Sequence, residues 1–283
     1  MSALHVRYYG KGPPLLLIHG LGSSGDDWAF QIGPLAAAYA LIVPDLSGCG
    51  RSPAGTGSPS IAGWAAELWA LVDTLGLPSL RIAGFSMGGA VALEMALQRP
   101  QAVSHLVTIN SLPSYRVDHW RKWLELHVQM TLVRWIGMRR MAGLVGRRLF
   151  PHPHQQPMRQ RVIDVVGEAD AAPYLRCARA LADWCAAERC RDFAVPMLML
   201  AGEYDYTPLA EKRDWAARLN AALTVVRGTR HSTPFDAIAA TNRCLRDFCA
   251  GLAVPGELQA DSAETAPRAA PMLPDARLTL DAC

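Results

Sequence analysis

No uncharged apolar run in the sequence reaches the ~18 residues that a membrane-spanning helix needs, so no segment reads as crossing a bilayer. There is no CxxC pair and no cysteine–histidine spacing suited to zinc. The cysteines number seven, an odd count, at Cys49, Cys177, Cys185, Cys190, Cys244, Cys249 and Cys283. They read as reduced, structural thiols of a cytoplasmic protein. Neither GxxxxGK(S/T) nor GxGxxG occurs, which removes both glycine-rich phosphate cradles. The opening "MSALHVRYYGKGPP" has no basic stretch leading into an apolar one, so it reads without a secretory leader. A net charge of +3 is too mild to mark a nucleic-acid binder, and no internal repeat is visible.

What remains is an ordinary globular balance. The 283 residues are 51% hydrophobic and 19% charged, enough for a sizeable α/β core. "PLLLIHG" and "ALIVPDL" are short continuous apolar runs, expected of strands buried on both faces of a parallel sheet. "LHVRYYG", "LRIAGFS", "VSHLVTINS", "VPMLMLAG" and "ALTVVRG" read as further strands. Helical stretches alternate with them. In "SPSIAGWAAELWALVDTLGLP", Ser60 is the expected N-cap, Ile61, Trp64, Leu68, Leu71 and Leu75 form the stripe, and Gly76 stops the helix. The alternation predicts a mainly parallel central sheet with helices on both faces. Residues 1–253 form this domain. About 112–192 lack clear strands and form an inserted helical cap, and the Pro- and Ala-rich tail 254–283 is expected to lack fixed structure.

"RIAGFSMGGAVALEMALQRP" puts Ser86 at the seam of a strand and a helix, with Gly84, Gly88 and Gly89 around it. A hydroxyl lifted above the sheet by a tight strand-to-helix turn needs such small neighbours, and the helix N-terminus beside it favours developing negative charge. A serine nucleophile also needs a base. Of eight histidines, His231 in "VVRGTRHSTPFD" alone follows a late strand at the carboxyl edge of the sheet. His19, flanked by glycine, reads as a loop-shaping residue. Asp205 in "LMLAGEYDYTP" is the acid expected to orient the imidazole, ahead of its neighbour Glu203 and of Asp45, which is assigned to its own turn with Arg51. Two backbone amides, Met87 and Leu21 of "HGLGSS", are the expected oxyanion donors.

"HGLGSSGDDW", "PDLSGCGRS", "GFSMGG", "GEYDYTP" and "GTRHSTPFD" together resemble the α/β-hydrolase family, over residues 3 to 252. The resemblance implies an α/β-hydrolase fold, a Ser86–His231–Asp205 triad and no metal or organic cofactor. The serine at position 86 speaks against the dehalogenase branch, which has aspartate there. "SMGG" and the cap resemble carboxylesterases, lactonases and carbon–carbon bond hydrolases, and more distantly the pimeloyl-carrier-protein methyl ester esterases.

Between Arg116 and Arg161 the cap carries ten lysine or arginine residues against Asp118 and Glu125, a local excess of +8. A solvated helix face is one reading. Another is an acidic acyl carrier protein docking on Arg134, Arg139, Arg140, Arg147 and Arg148. Interleaved Trp120, Trp123 and Trp135 leave open a helix resting on anionic lipid. They read better as a roof over the active-site pocket that also packs the cap on the core, with Trp120, Trp123 and Phe235 as substrate contacts, so membrane contact is disfavoured. The sequence therefore predicts a serine carboxylesterase of a small or acyl-chain ester. A carbon–carbon or enol-lactone hydrolase with the same triad and a ligand-binding sensor with a vestigial site stand as alternatives.

Overall fold

Leu15, Leu16, Leu17 and Ile18 offer water no polar side chain, and the chain places all four where none reaches: each is fully buried in strand β2 (Pro14–Ile18) of the computed structural model. The structure describes residues 4–55 and 57–261. Strand β1 (Val6–Tyr9) precedes β2, and helix α1 (Ala29–Ala36), β3 (Ala40–Pro44), α2 (Ile61–Thr74), β4 (Leu80–Phe85), α3 (Met87–Gln98) and β5 (Val103–Ile109) follow it. The chain then leaves the sheet for α4 (Trp120–Leu149), α5 (Gln156–Val166) and α6 (Ala171–Ala182). It returns through β6 (Met197–Gly202), α7 (Leu209–Arg218), β7 (Ala222–Arg227), the short α8 (Thr233–Asp236), α9 (Ile238–Cys249) and β8 (Glu257–Gln259).

Among the described residues the strands lie in the order β1-β3-β2-β4-β5-β6-β7-β8, and of these neighbouring pairs only β1–β3 is antiparallel. Side chains of successive strand residues point to opposite faces, so each apolar run feeds two cores at once. Leu16, Ile18, Ile42 and Ile82 meet α2, α3 and α7 on one face. Leu15, Leu17, Leu41, Val43 and Ala83 meet α1 and α9 on the other. Helix α2 begins as its sequence demands: the Ser60 hydroxyl accepts from Gly63 N at 3.0 Å, and Gly76 beyond its end takes φ 65°.

The tail departs from its expected lack of structure. Glu257–Gln259 add an eighth strand beside β7, Val225 N donates to Gly256 O at 2.8 Å, and Asp261 accepts from Ile238 N at 2.7 Å. Backbone pairing at a sheet edge asks little of side chains, so composition does not foretell it. Residues 262–283 lie outside the described residues.

The helical segment between β5 and β6 is fastened at its neck. Ser114 bridges Cys185, Tyr115 N donates to Trp184 O, Val117 N to Ala182 O, and Ala186 N to Pro113 O. Beneath the neck, Glu94 of α3 is buried with its carboxylate gripped by both terminal nitrogens of Arg189 (2.8 and 2.6 Å) and by Trp184 Nε1 (2.9 Å). Burial pushes this carboxyl up, but the donors of Arg189 and Trp184 outweigh it and hold the pKa below the usual range. A carboxylate lowered on folding contributes stability above its unfolded pKa and loses it as pH falls through the folded value. Arg189→Met should therefore lower the unfolding free energy by about 1.5–3 kcal/mol at neutral pH. The gap from the unmutated protein should narrow below about pH 4; urea denaturation at the two pH values measures both.

Candidate active site

The turn after β4 is built by close approach. A Cβ on Gly84 would stand 2.1 Å from Gly88 O, one on Gly88 2.2 Å from Ile18 O, and one on Gly89 2.5 Å from Ser111 Cβ. No side chain fits at any of the three, so α3 starts tight against the ends of β2 and β4. Ser86 pivots between strand and helix with φ 53° and ψ −116°, a left-handed backbone unusual for serine that costs ~1–3 kcal/mol. Its amide donates to Ile109 O at 2.8 Å, which ties the turn to β5. Met87 is the first residue of α3, and Leu21 follows β2 in the adjacent turn, since Ile18 pairs with Gly84.

Three side chains from three strand ends meet above the sheet. The Ser86 hydroxyl lies 2.8 Å from His231 Nε2, and His231 Nδ1 lies 2.5 Å from Asp205 Oδ1. The carboxylate requires Nδ1 to carry the proton, which leaves Nε2 free to accept from the serine. The Asp205 carboxylate is fully buried and also accepts from Tyr206 N (2.7 Å), from the Thr207 hydroxyl (2.8 Å) and from the ammonium of buried Lys212. Burial raises its pKa; the His231 hydrogen bond, the charge on that imidazole and the Lys212 charge together drive it far below the carboxylate range. Ser86 and His231 are partly exposed, while the Asp205 carboxylate stays dry.

Residues 13–132 match the family model of the alpha/beta hydrolase fold. The esterase of Exiguobacterium antarcticum superposes with a TM-score of 0.81 at 20% identity, over 88% of this chain and 96% of that one. The enol-lactonase of Burkholderia xenovorans does so with a TM-score of 0.78 at 22% identity, over 88% and 97%. The chain is an α/β-hydrolase-fold protein. A pimeloyl-[acyl-carrier protein] methyl ester esterase of Aeromonas salmonicida is 38% identical over 120 residues, covering 42% of this chain and 46% of that protein. The chain spans about half the length of the curated relatives it matches.

Four further residues singled out in the sequence have the following surroundings. His19 is buried and works as a clamp: its Nε2 accepts from Leu46 N at 3.0 Å while Nδ1 donates to Gly20 O at 2.8 Å. Asp45 receives Gly25 N and Arg51 N at its own turn. Glu203 points away to Arg227 and Gly228 N. Phe235 is half-buried where α1 meets the cap, edge-on to Phe30 at 6.1 Å and under Arg161.

Two expected substrate contacts do not hold. Trp120 and Trp123 are 62% and 52% exposed, and Trp135 is 85% exposed, so these rings neither roof the site nor pack the cap on the core. Met130 and Val133 fill the inward face of α4 instead. The rings that do touch His231 are Phe85 at 5.4 Å and Tyr206, stacked at 4.6 Å, with Arg148 of α4 over the outer face of Tyr206. Tyr206 had a visible signal, its place next to Asp205.

Asn110 had none. Buried just past β5 at φ 49°, it donates to His231 O (2.6 Å), Arg230 O (3.3 Å) and Thr233 Oγ1 (2.8 Å) and accepts from Gly202 N (2.7 Å) and Lys212 Nζ (3.3 Å). Asn110→Gly keeps the backbone free to hold a positive φ but loses these bonds, and should cost about 2–4 kcal/mol of stability. Asn110→Ala should cost roughly 1 kcal/mol more, because alanine resists that conformation. Equilibrium denaturation of the two variants separates the bonding from the strain.

Proposed function

We propose that this protein is a serine hydrolase of carboxylic esters, with Ser86 as nucleophile, His231 as base and Asp205 as the acid that orients it. The observation that carries this reading is the continuous hydrogen-bond path from Ser86 Oγ through His231 to a buried, ionised Asp205. His231 Nε2 takes the hydroxyl proton as Ser86 Oγ attacks the ester carbonyl carbon. The oxyanion formed there accepts from the amides of Leu21 and Met87. His231 hands its proton to the departing alkoxide, the alcohol leaves, and an acyl-enzyme remains on Ser86. Water, deprotonated by the same imidazole, attacks the acyl carbon, and the acid is released as Ser86 recovers its proton. Asp205 offsets the charge of each transient imidazolium.

The substrate class this supports is a small or acyl-chain ester. An acidic acyl carrier protein as partner draws on the basic cap, but two of the five arginines proposed to dock it are engaged within the fold: Arg139 pairs with Glu168 and Arg148 covers Tyr206. The same three groups are competent to open an enol lactone, the activity named for the Burkholderia neighbour. Turnover of enol lactones or of diketones cleaved at a carbon–carbon bond, with none on simple esters, would replace the ester reading. A single slow turnover with the ligand retained would instead mark a sensor.

Hydrolysis of p-nitrophenyl esters from acetate to laurate tests the proposal. Ser86→Ala should lower kcat/KM by roughly four to six orders of magnitude, and a fluorophosphonate should add to the unmutated protein at Ser86 alone by mass spectrometry. Full activity in Ser86→Ala would sink the nucleophile assignment.

A further inference from the structure

The first half of α4 is apolar on two opposite sides. Its inward side carries Met130 and Val133, buried in the cap. On the outward side Trp120, Leu124, Val128, Leu132 and Trp135 follow at steps of four, four, four and three, which aligns them along one stripe. All are exposed: 62%, 47%, 50%, 37% and 85% respectively. Trp123 lies at the edge of the stripe, 52% exposed and stacked on His127 at 3.8 Å. At a rise of ~1.5 Å per residue the row is about 22 Å long. Single exposed apolar side chains are ordinary, but a contiguous row marks a surface that is covered in use.

We propose that this face of α4 lies on an anionic lipid surface, with the helix in the plane of the interface. The row asks for an apolar layer as long as itself, and its tryptophans suit the boundary between headgroups and acyl chains. The charge asks for an anion: Arg134 is exposed beside Trp135, and Arg140 and Arg147 are exposed on the same helix beyond its break at Gly137. A second copy of the chain would set this basic surface against its like. An acidic protein would meet the arginines and leave the tryptophan row in water. Lipid of negative charge satisfies both. Among the described residues no helix is long and apolar enough to cross a membrane, so the contact is peripheral. The proposal runs against the expectation that membrane contact is disfavoured. The proposal does not depend on the ester chemistry, since binding is read without turnover.

The test is co-sedimentation of the full chain with phosphatidylcholine vesicles, alone or mixed with phosphatidylglycerol. The bound fraction should be about tenfold higher on the anionic vesicles and should fall with added salt. Tryptophan emission should shift to the blue on binding, and brominated lipid should quench it. The double variant Leu132→Ser/Trp135→Ser, folded by circular dichroism, should lose most of the binding. Quenching of the unmutated protein stands as evidence even if that variant fails to fold. Absence of binding, or equal binding to neutral and anionic vesicles, overturns the proposal. So does a dimer in light scattering that Trp135→Ser dissolves, which assigns the face to a second copy. Capture of an acidic carrier protein without any vesicle binding assigns it to that partner and overturns the proposal equally.

Discussion

The carboxyl edge of the sheet is held by one buried side-chain amide. Asn110 spends its donors on the backbone that carries His231 and its acceptor on the turn of β6 and on Lys212. Lys212 in turn holds Asp205. His231 and Asp205, which come from two different strand ends, are therefore referenced to the end of a third strand, β5. That strand also accepts the Ser86 amide through Ile109 O. Rigidity here has a physical source: Asn110, Lys212 and the Asp205 carboxylate are buried, and a bond lost among them would leave a polar atom dry and unpaired. The cost of the left-handed backbone at Ser86 and Asn110 is borne by this network.

The parts of this arrangement that were legible in the sequence are those where backbone geometry leaves no choice. Gly84, Gly88 and Gly89 announce the turn because any Cβ there would strike backbone or Ser111. His231 and Asp205 are readable because both follow strong strand signals. Lys212 is not, because a lysine in "PLAEKRDWAARL" looks like one more solvated charge on an amphipathic helix until the fold closes over it. The outward tryptophans of α4 mislead for the opposite reason. Pattern reading assumes one apolar side per helix, and this helix has two. Strand β8 escapes because backbone pairing carries most of it, with Leu258 resting on the core edge and Glu257 on Arg227.

The two halves of α4 divide their labour. Before Gly137 the helix turns its rings outward. After the break, where φ is 77°, Arg148 comes down over Tyr206 and so onto the ring that flanks His231. One element thereby joins the outer surface of the cap to the imidazole through a stack of a guanidinium, a phenol and an imidazole.

The neck of the cap has a consequence for how this protein can change over generations. The segments entering and leaving the cap are tied to each other at Ser114–Cys185 and at Tyr115–Trp184, and the deep anchor to Glu94 sits just below them. Everything beyond the neck is a closed excursion whose ends are already held together, so its length can vary at little entropic cost. The cap behaves as an exchangeable cassette. A different set of helices could be spliced in above Val117 and Ala182 while Ser86, His231 and their hydrogen bonds to the end of β5 stayed as they are.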